Sequence, residues 1–429
     1  MTAIVFKNAR LIDPSLKMDM KGELLVENGV VSAVAPSLAD VGDAMPVDCA
    51  GAVLSPGLVD LHVHFRDPGL TQKETLETGC AAAAAGGFTA VVTMANTKPP
   101  IDSPEAVESC IERNRSMDCR IYPAAAVTKA MAGKELTDFA ALKEAGAVCL
   151  SDDGLTVADG ALFYKAFEKA ASLDLPISVH CEAHGFEGDR SMNRGAISAK
   201  LGLVGTPALA EELMILRDLF FAEKTGAHVH VQHVSTARGV EMIADAKRRG
   251  VNVTGEATPH HMFLDETAIL EHGANAKMSP PLRLPEDVQA VREALMSGVL
   301  DVVATDHAPH TPAEKAQGIA KAPNGIIGLE TSLAVCLDGL CGGCGFPVPT
   351  LVERMSTAPR RIFGLPAVTL QPGSVADLVL FDPEREWLVD ASKFKSKGRN
   401  CPFNGRKLKG QVLMTLLGGR IVHDGRLPA

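Results

Sequence analysis

The chain has no excess of positive charge, no uninterrupted apolar run of membrane length and no cysteine framework, and each absence removes a class of function. Its formal net charge is −10, so it lacks the basic surface on which nucleic-acid binding depends, and no nucleic-acid partner is expected. One window, Thr78 to Thr97, carries no charge over 20 residues, but it is Ala-rich and broken at Gly86-Gly87. A membrane helix needs about 20 predominantly apolar residues without such a break. The window therefore reads as a helix followed by a strand, and no membrane association is expected. The opening stretch, Met1 to Arg10, holds no apolar segment of signal-peptide kind. The ten cysteines are scattered rather than paired in spacing, which suits free thiols in a reducing cytoplasm. Cys341-Gly-Gly-Cys344 has no second pair and is given no zinc or redox role.

With 46% hydrophobic and 22% charged residues over 429 positions, the chain has the make-up of a soluble globular protein with a large core. Short β-branched runs alternate with longer stretches rich in Ala, Leu, Glu and Lys, as repeated βα units do. Eight runs read as strands: Leu58–His64, Thr89–Asn96, Arg120–Val127, Val148–Asp153, Pro176–Glu182, Val229–Ser235, Val251–Ala257 and Leu300–His307. Helical patterns at Glu105–Arg115, Asp138–Glu144, Leu162–Ser172 and Val288–Ser297 lie between them. Eight such units predict an α/β fold, a closed (β/α)8 TIM-like barrel. Further strand-like runs, Ala3–Leu11 and Glu23–Val34 at one end and Ser374–Phe381 and Val412–Val422 at the other, predict a small composite β-domain built from both termini. Turn signals stand at Asn28-Gly29, Gly418-Gly419 and Asp424-Gly425. The expected division is 1–54 and 365–429 for the β-domain and 55–364 for the barrel.

Functional groups of such barrels sit where the strands end. The first run ends in His62-Val-His64, two histidines on one face of a strand and able to share an ion. The fourth ends in Asp152-Asp153, the fifth holds His180, the sixth His233 and the eighth Asp306. His233 shares parity with Val229 and Val231, and because branched apolar side chains fill barrel interiors, it is expected to point inward, with His228 and His230 facing away. Periodicity does not separate Asp152 from Asp153. An isolated His-x-His on a strand is more often structural than ligating. What argues for a site is six nitrogen and oxygen ligands on five strand ends, a set suited to two divalent ions.

Asp60-Leu-His-Val-His-Phe-Arg-Asp-Pro-Gly-Leu-Thr-Gln-Lys-Glu-Thr75, then Gly86-Gly-Phe-Thr, Met94-Ala-Asn-Thr-Lys-Pro-Pro100, Lys277-Met-Ser-Pro-Pro-Leu-Arg283 and Thr305-Asp-His-Ala-Pro-His310 resemble the motifs of the bacterial type I dihydroorotases, a branch of the amidohydrolase superfamily. The resemblance runs from about residue 50 to 365. It implies the reversible cyclisation of N-carbamoyl-L-aspartate to L-dihydroorotate in pyrimidine synthesis. It implies His62, His64, Asp153, His180, His233 and Asp306 as ligands of two divalent ions, with Asp153 bridging. No lysine stands between Ala145 and Asp153 to bridge them as a carbamate, as in hydantoinases and allantoinases. Imidazole and carboxylate without thiolate fit Zn²⁺, with Mn²⁺ or Co²⁺ as the alternatives, and Asp306 is the implied proton carrier. For the substrate the resemblance implies Arg66, Asn96 and His310 at its carboxylate, with Ser279, Asn324 and Gly325, and also His64, near the ring. Ser279 and Asn324 depart from the residues the family usually has there. The segment His307–Gly325 reads as a candidate lid. A homodimer and an aspartate transcarbamoylase partner are further associations of the family. The competing readings are another cyclic-amide hydrolase, of allantoinase or hydantoinase type, and a non-catalytic scaffold for the transcarbamoylase.

Overall fold

In a computed structural model, which describes residues 3–186 and 188–426, the chain begins with five strands: β1 (Ile4–Asp13), β2 (Met18–Glu27), β3 (Val30–Ala35), β4 (Met45–Asp48) and β5 (Val53–Pro56). Eight strands of the second sheet follow: β6 (Leu58–Val63), β7 (Phe88–Thr93), β8 (Arg120–Ala125), β9 (Cys149–Leu150), β10 (Ile177–Val179), β11 (Val229–Val231), β12 (Val253–Ala257) and β13 (Val302–Val303). These lie in sequence order, each parallel to the next. The sheet closes through a parallel bridge from Val63 to His307, with the His64 N–H donating to the His307 carbonyl at 2.9 Å. A (β/α)8 barrel results.

Every expected barrel run contains a strand, but most of the strands are shorter at their C-terminal ends. His64, His180, His233 and Asp306 all lie just past the last residue of their strand. The expected helices appear at Pro104–Arg113, Phe139–Glu144, Gly160–Ser172 and Pro285–Ser297. Asp159 starts the third of these by accepting from the Ala161 and Leu162 N–H groups at 2.9 and 3.0 Å, which satisfies donors that a helix end leaves open. The uncharged window becomes the helix Leu76–Ala85 followed by β7, and no helix among the described residues is long and apolar enough to cross a membrane.

Alternation along the strands divides the apolar residues into two layers. Val59, Leu61, Ala90, Val92, Ala124, Cys149 and Val302 fill the barrel interior with Phe363 and Leu365 at its base. Ile177, Val179, Val229, Val231, Val253 and Val303 face the surrounding helices, packing with Phe167, Ile215 and Ile243. The expected face of β11 is therefore reversed. Val229 and Val231 point outward, and His230 lies inside, its ring 5.0 Å from that of Phe363. A barrel of this kind has branched side chains on both faces of its strands, so branching alone does not mark the interior.

The last strands, β14 (Leu378–Leu388), β15 (Lys407–Leu417) and β16 (Arg420–Asp424), join β1–β5 in one mixed sheet of order β16-β15-β14-β5-β1-β2-β3, with β4 beside β1. Two expected runs are hairpins rather than single strands. Asn28-Gly29 turns β2 into β3 and Gly418-Gly419 turns β15 into β16, all four residues at positive φ as the tight turns demand. Along β14 the faces separate cleanly: Leu378 and Leu380 enter the small sheet's own core, and Val379 and Phe381 enter the barrel's outer core. Phe381 is thus a direct apolar link between the two units. Phe381→Ala should cost about 3–5 kcal/mol, read as a lowered unfolding midpoint, while metal content at 25 °C stays that of the parent.

Candidate metal centre and active site

Local backbone geometry turns six side chains from separate strand ends toward one point. On β6 the pairing register shifts between Asp60 and Val63. Leu61 lies in the interior and Val63 in the outer layer, so His62 and His64 both face the barrel mouth. His180 arrives by ordinary alternation after Ser178. His233 does not, since its parity follows outward-facing Val229 and Val231. It is brought in by a left-handed backbone, φ +31°, and Asp306 similarly by φ +46°. Such conformations cost a non-glycine residue on the order of 1 kcal/mol and concentrate at functional sites. Asp153 is separated from Asp152 by hydrogen bonds. Asp152 turns away, accepting from the Val127 and Thr128 N–H groups at 2.8 and 3.2 Å and from the Thr128 hydroxyl.

The six residues are buried and their ligand atoms interlock. Three groups, His62–His64–Asp153, His62–His233–Asp306 and Asp153–His180–His233, each have their donor atoms within 4.8 Å of one another. His62 Nε2 lies 3.4 Å from Asp153 Oδ1 and 3.5 Å from Asp306 Oδ1. His64 Nε2 lies 3.4 Å from Asp153 Oδ2 and 2.9 Å from Asp306 Oδ1.

What surrounds these imidazoles decides which nitrogens are free. Glu256, wholly buried on β12, accepts from His62 Nδ1 at 3.1 Å, from His230 Nε2 at 3.0 Å and from the His233 backbone N–H at 3.1 Å. His64 Nδ1 donates to Asn96 Oδ1 at 3.0 Å, and Asn96 Nδ2 donates to Asp153 Oδ2 at 3.0 Å and to its backbone carbonyl at 3.2 Å. His180 Nε2 lies 3.4 Å from Glu182 Oε2, and its Nδ1 faces His233 Nε2 at 3.0 Å. With the outward nitrogens protonated, the inward ones present lone pairs to carboxylates and to one another. His62 Nε2 is buried and has no hydrogen-bond partner among the described residues. That arrangement is unfavourable without positive charge at its centre, and fits divalent cations.

Electrostatics agree. Burial works against ionised Asp153, yet His62, His64 and His180 hold it well below the usual carboxylate range. Asp306 is held low against burial by His62, His64 and His233. Burial also disfavours charge on His62, but Asp306, Glu256 and Asp153 raise it well above its ordinary value, so without a cation a proton is drawn to the same place and metal binding would displace it. His233, desolvated and beside His180, falls to about 3 and stays neutral, as a ligand must.

Beside this cluster opens a cavity of about 190 Å³, bordered by His64, Asp153, His180, His233 and Asp306. All the residues expected at the substrate, Arg66, Asn96, Ser279, His310, Asn324 and Gly325, line it as well. Arg66 is held at φ +60° with its Nε buried and unpartnered. Among the described residues it has no ion pair, because the adjacent Asp67 is bound bidentately by Arg113 at 2.8 and 2.7 Å. Other side chains are already engaged. Asn96 braces two ligands, Ser279 donates to Glu182 at 3.2 Å, and His310 donates from Nε2 to the Asn324 carbonyl at 2.8 Å while Nδ1 accepts from Lys73 at 3.2 Å. Burial among Arg66, Lys73 and Lys315 lowers His310 to about 2, so it is neutral. Two residues in the site escaped the sequence reading. Arg190 lines the cavity and reaches Glu182 at 2.7 Å. Glu256 was hidden because inward parity on β12 is visible only once the layers are known.

Comparison with known proteins gives a consistent picture. A family profile described as Dihydro-orotase-like matches residues 51–239. The dihydroorotase of Syntrophus aciditrophicus (strain SB) is 46% identical over 98% of this chain and 99% of its own length. That of Aquifex aeolicus (strain VF5) is 42% identical over 99% of this chain and all of its own. Among solved structures, the L-hydantoinase (dihydropyrimidinase) from Arthrobacter aurescens superposes with a TM-score of 0.89 at 27% identity, covering 99% of this chain and 96% of that one. The dihydropyrimidinase from Brevibacillus agri NCHU1002, at 24% identity and a TM-score of 0.85, shares the fold.

The three donors on Glu256 make a testable demand. Glu256→Gln keeps the size but replaces one accepting oxygen by an amide N–H, which must face a histidine donor. Metal affinity should drop about 10–100-fold, read by competition with a chelator. Unchanged affinity would show that Glu256 does not orient His62.

Proposed function

The chain belongs to the dihydroorotase family, and from that premise we propose how its residues divide the work. It is a metal-dependent cyclic amidohydrolase that interconverts N-carbamoyl-L-aspartate and L-dihydroorotate, a step of pyrimidine synthesis in which closing the ring releases water. We assign residues 55–364 to the catalytic barrel and 1–54 with 365–429 to the flanking β-domain.

Two divalent cations are proposed, which would be held by His62, His64, Asp153, His180, His233 and Asp306, whose donor atoms form three overlapping groups. Zinc is the preferred metal because the donors are imidazole and carboxylate. Bound there, the cations would supply Lewis acidity toward the ring amide carbonyl and lower the pKa of an attacking water. Asp306 takes the proton of that water as it adds to the carbonyl carbon, and returns it to the ring nitrogen as the carbon–nitrogen bond breaks. In the synthetic direction the same carboxylate removes the proton from the ureido nitrogen. Burial works against its ionised form, but His62, His64 (2.9 Å from Asp306 Oδ1) and His233 keep it ionised and able to accept.

The observation that carries the substrate reading is Arg66. A guanidinium without a carboxylate partner among the described residues, in the wall of a cavity next to the acid cluster, is matched by the substrate's unreacting carboxylate, which it can bind bidentately. Asn96, His310, Ser279, Asn324 and Gly325 then shape the remaining wall around the ring. All of these residues come from one chain. The convergence of the whole ligand set weighs against a non-catalytic scaffold. The exposed stripe of Leu209, Leu213, Leu216 and Phe220 on the helix Leu209–Thr225 supports a homodimer. A cytoplasmic setting is proposed from the ten free cysteines.

Stripping the metal with a chelator should abolish ring opening of dihydroorotate, followed by ultraviolet absorbance, and added Zn²⁺ should restore it. Asp306→Asn should lose at least about 10²–10⁴-fold in kcat; full turnover in that variant excludes Asp306 as the proton carrier. Arg66→Lys keeps the charge but not the fork, and KM should rise about 10-fold or more, while a KM equal to that of the parent would remove the carboxylate from Arg66.

A further inference from the structure

The C-terminal part of the chain reaches back into the barrel mouth. Asn400 follows the 3₁₀ turn Ala391–Lys393 and is almost completely buried, at 1% exposure. Its Nδ2 donates to two carbonyls, Ala308 at 3.0 Å and Gly325 at 2.9 Å, and its Oδ1 accepts from the His310 N–H at 3.3 Å. Its own backbone carbonyl accepts from Ile327 N–H at 3.0 Å. From the opposite side, the ammonium of Lys315, also buried, donates to Pro323 O at 3.0 Å and to Gly325 O at 2.9 Å. The Gly325 carbonyl is thus held by two donors that come from different parts of the chain.

The segments joined in this way carry part of the cavity wall: Ala308, His310, Asn324 and Gly325 all line it. Gly325 sits at φ +153°, and a Cβ there would lie 2.5 Å from Ala308 O and 2.7 Å from the His310 ring. The two segments are in contact with little room to spare. Two buried carbonyls converging on one place repel unless donors separate them, and a buried carbonyl left without a partner costs about 1–3 kcal/mol.

We propose that Asn400 and Lys315 are positioning residues for substrate binding. They set the spacing of the 307–310 and 323–325 segments so that the cavity closes around the pyrimidine ring, and they make the C-terminal segment part of the binding machinery. The inference rests on the reading of this cavity as the dihydroorotate site. Neither residue touches the reacting atoms or any of the six proposed ligands, so their loss acts on binding.

The test uses the full chain loaded with Zn²⁺ and compares Asn400→Asp and Lys315→Met with the parent. Asn400→Asp keeps the shape and the acceptor for His310 but sets a carboxylate oxygen against the two carbonyls. Each variant should raise KM for dihydroorotate about 10-fold or more, with kcat within about 3-fold, and with metal content unchanged. Should Asn400→Asp fail to fold, Lys315→Met, which removes the other donor to the same carbonyl, decides the question alone. KM within twofold of the parent, or kcat and metal content falling together while KM holds, overturns the proposal. A parent protein that binds zinc yet opens no dihydroorotate overturns instead the assignment of the site, so the two failures are distinguishable.

Discussion

Four imidazoles and two carboxylates held close together, away from water, with their free electron pairs turned inward, form the constraint around which the molecule is organised. Such a cluster is not stable as a neutral arrangement of dipoles. Each inward nitrogen faces an acceptor or another nitrogen, and His62 Nε2 is left with none of its own. A surrounding ring of hydrogen bonds donated to Glu256, Asn96 and Glu182 prevents the rings from turning to relieve the conflict. The folded protein therefore draws positive charge to this point, as its hold on a His62 proton shows.

Holding that arrangement shapes the backbone nearby. The barrel strands end before His64, Asp153, His180, His233 and Asp306, and Arg66, His233 and Asp306 take left-handed conformations that their side chains do not favour. The strain is sustained by a large packed body: an interior layer inside the sheet, an outer layer under the helices, and a flanking sheet that shares Val379 and Phe381 with that outer layer. The site also depends on distant parts of the chain. Glu74 accepts from the Ser396 hydroxyl and from the Lys397 N–H at 3.2 Å, tying the C-terminal segment to the loop after β6.

Much of the architecture was legible in the sequence because the repeating βα pattern is local. Eight β-branched runs located eight strands, and the last residues of five of them named the ligand candidates. The uncharged window read correctly as helix and strand because Gly86-Gly87 interrupts it. Strand ends were read too long, since the same side chains suit a strand whether or not its backbone is paired. The face of β11 was reversed because Val229 and Val231 are equally at home inside a barrel and beneath its helices.

From the linear chain alone came the repeat and the residue types at each strand end, both of which depend on near neighbours. Three-dimensional closure decided the rest. A bulge on β6 and positive φ at His233 aimed the ligands, hydrogen bonds to Val127 and Thr128 removed Asp152 from the choice, and folding brought Glu256, Lys315 and Asn400 to positions no spacing could reveal. The contacts of Glu256 and Asn400 join residues tens to hundreds of positions apart, and they exist only when the barrel is closed.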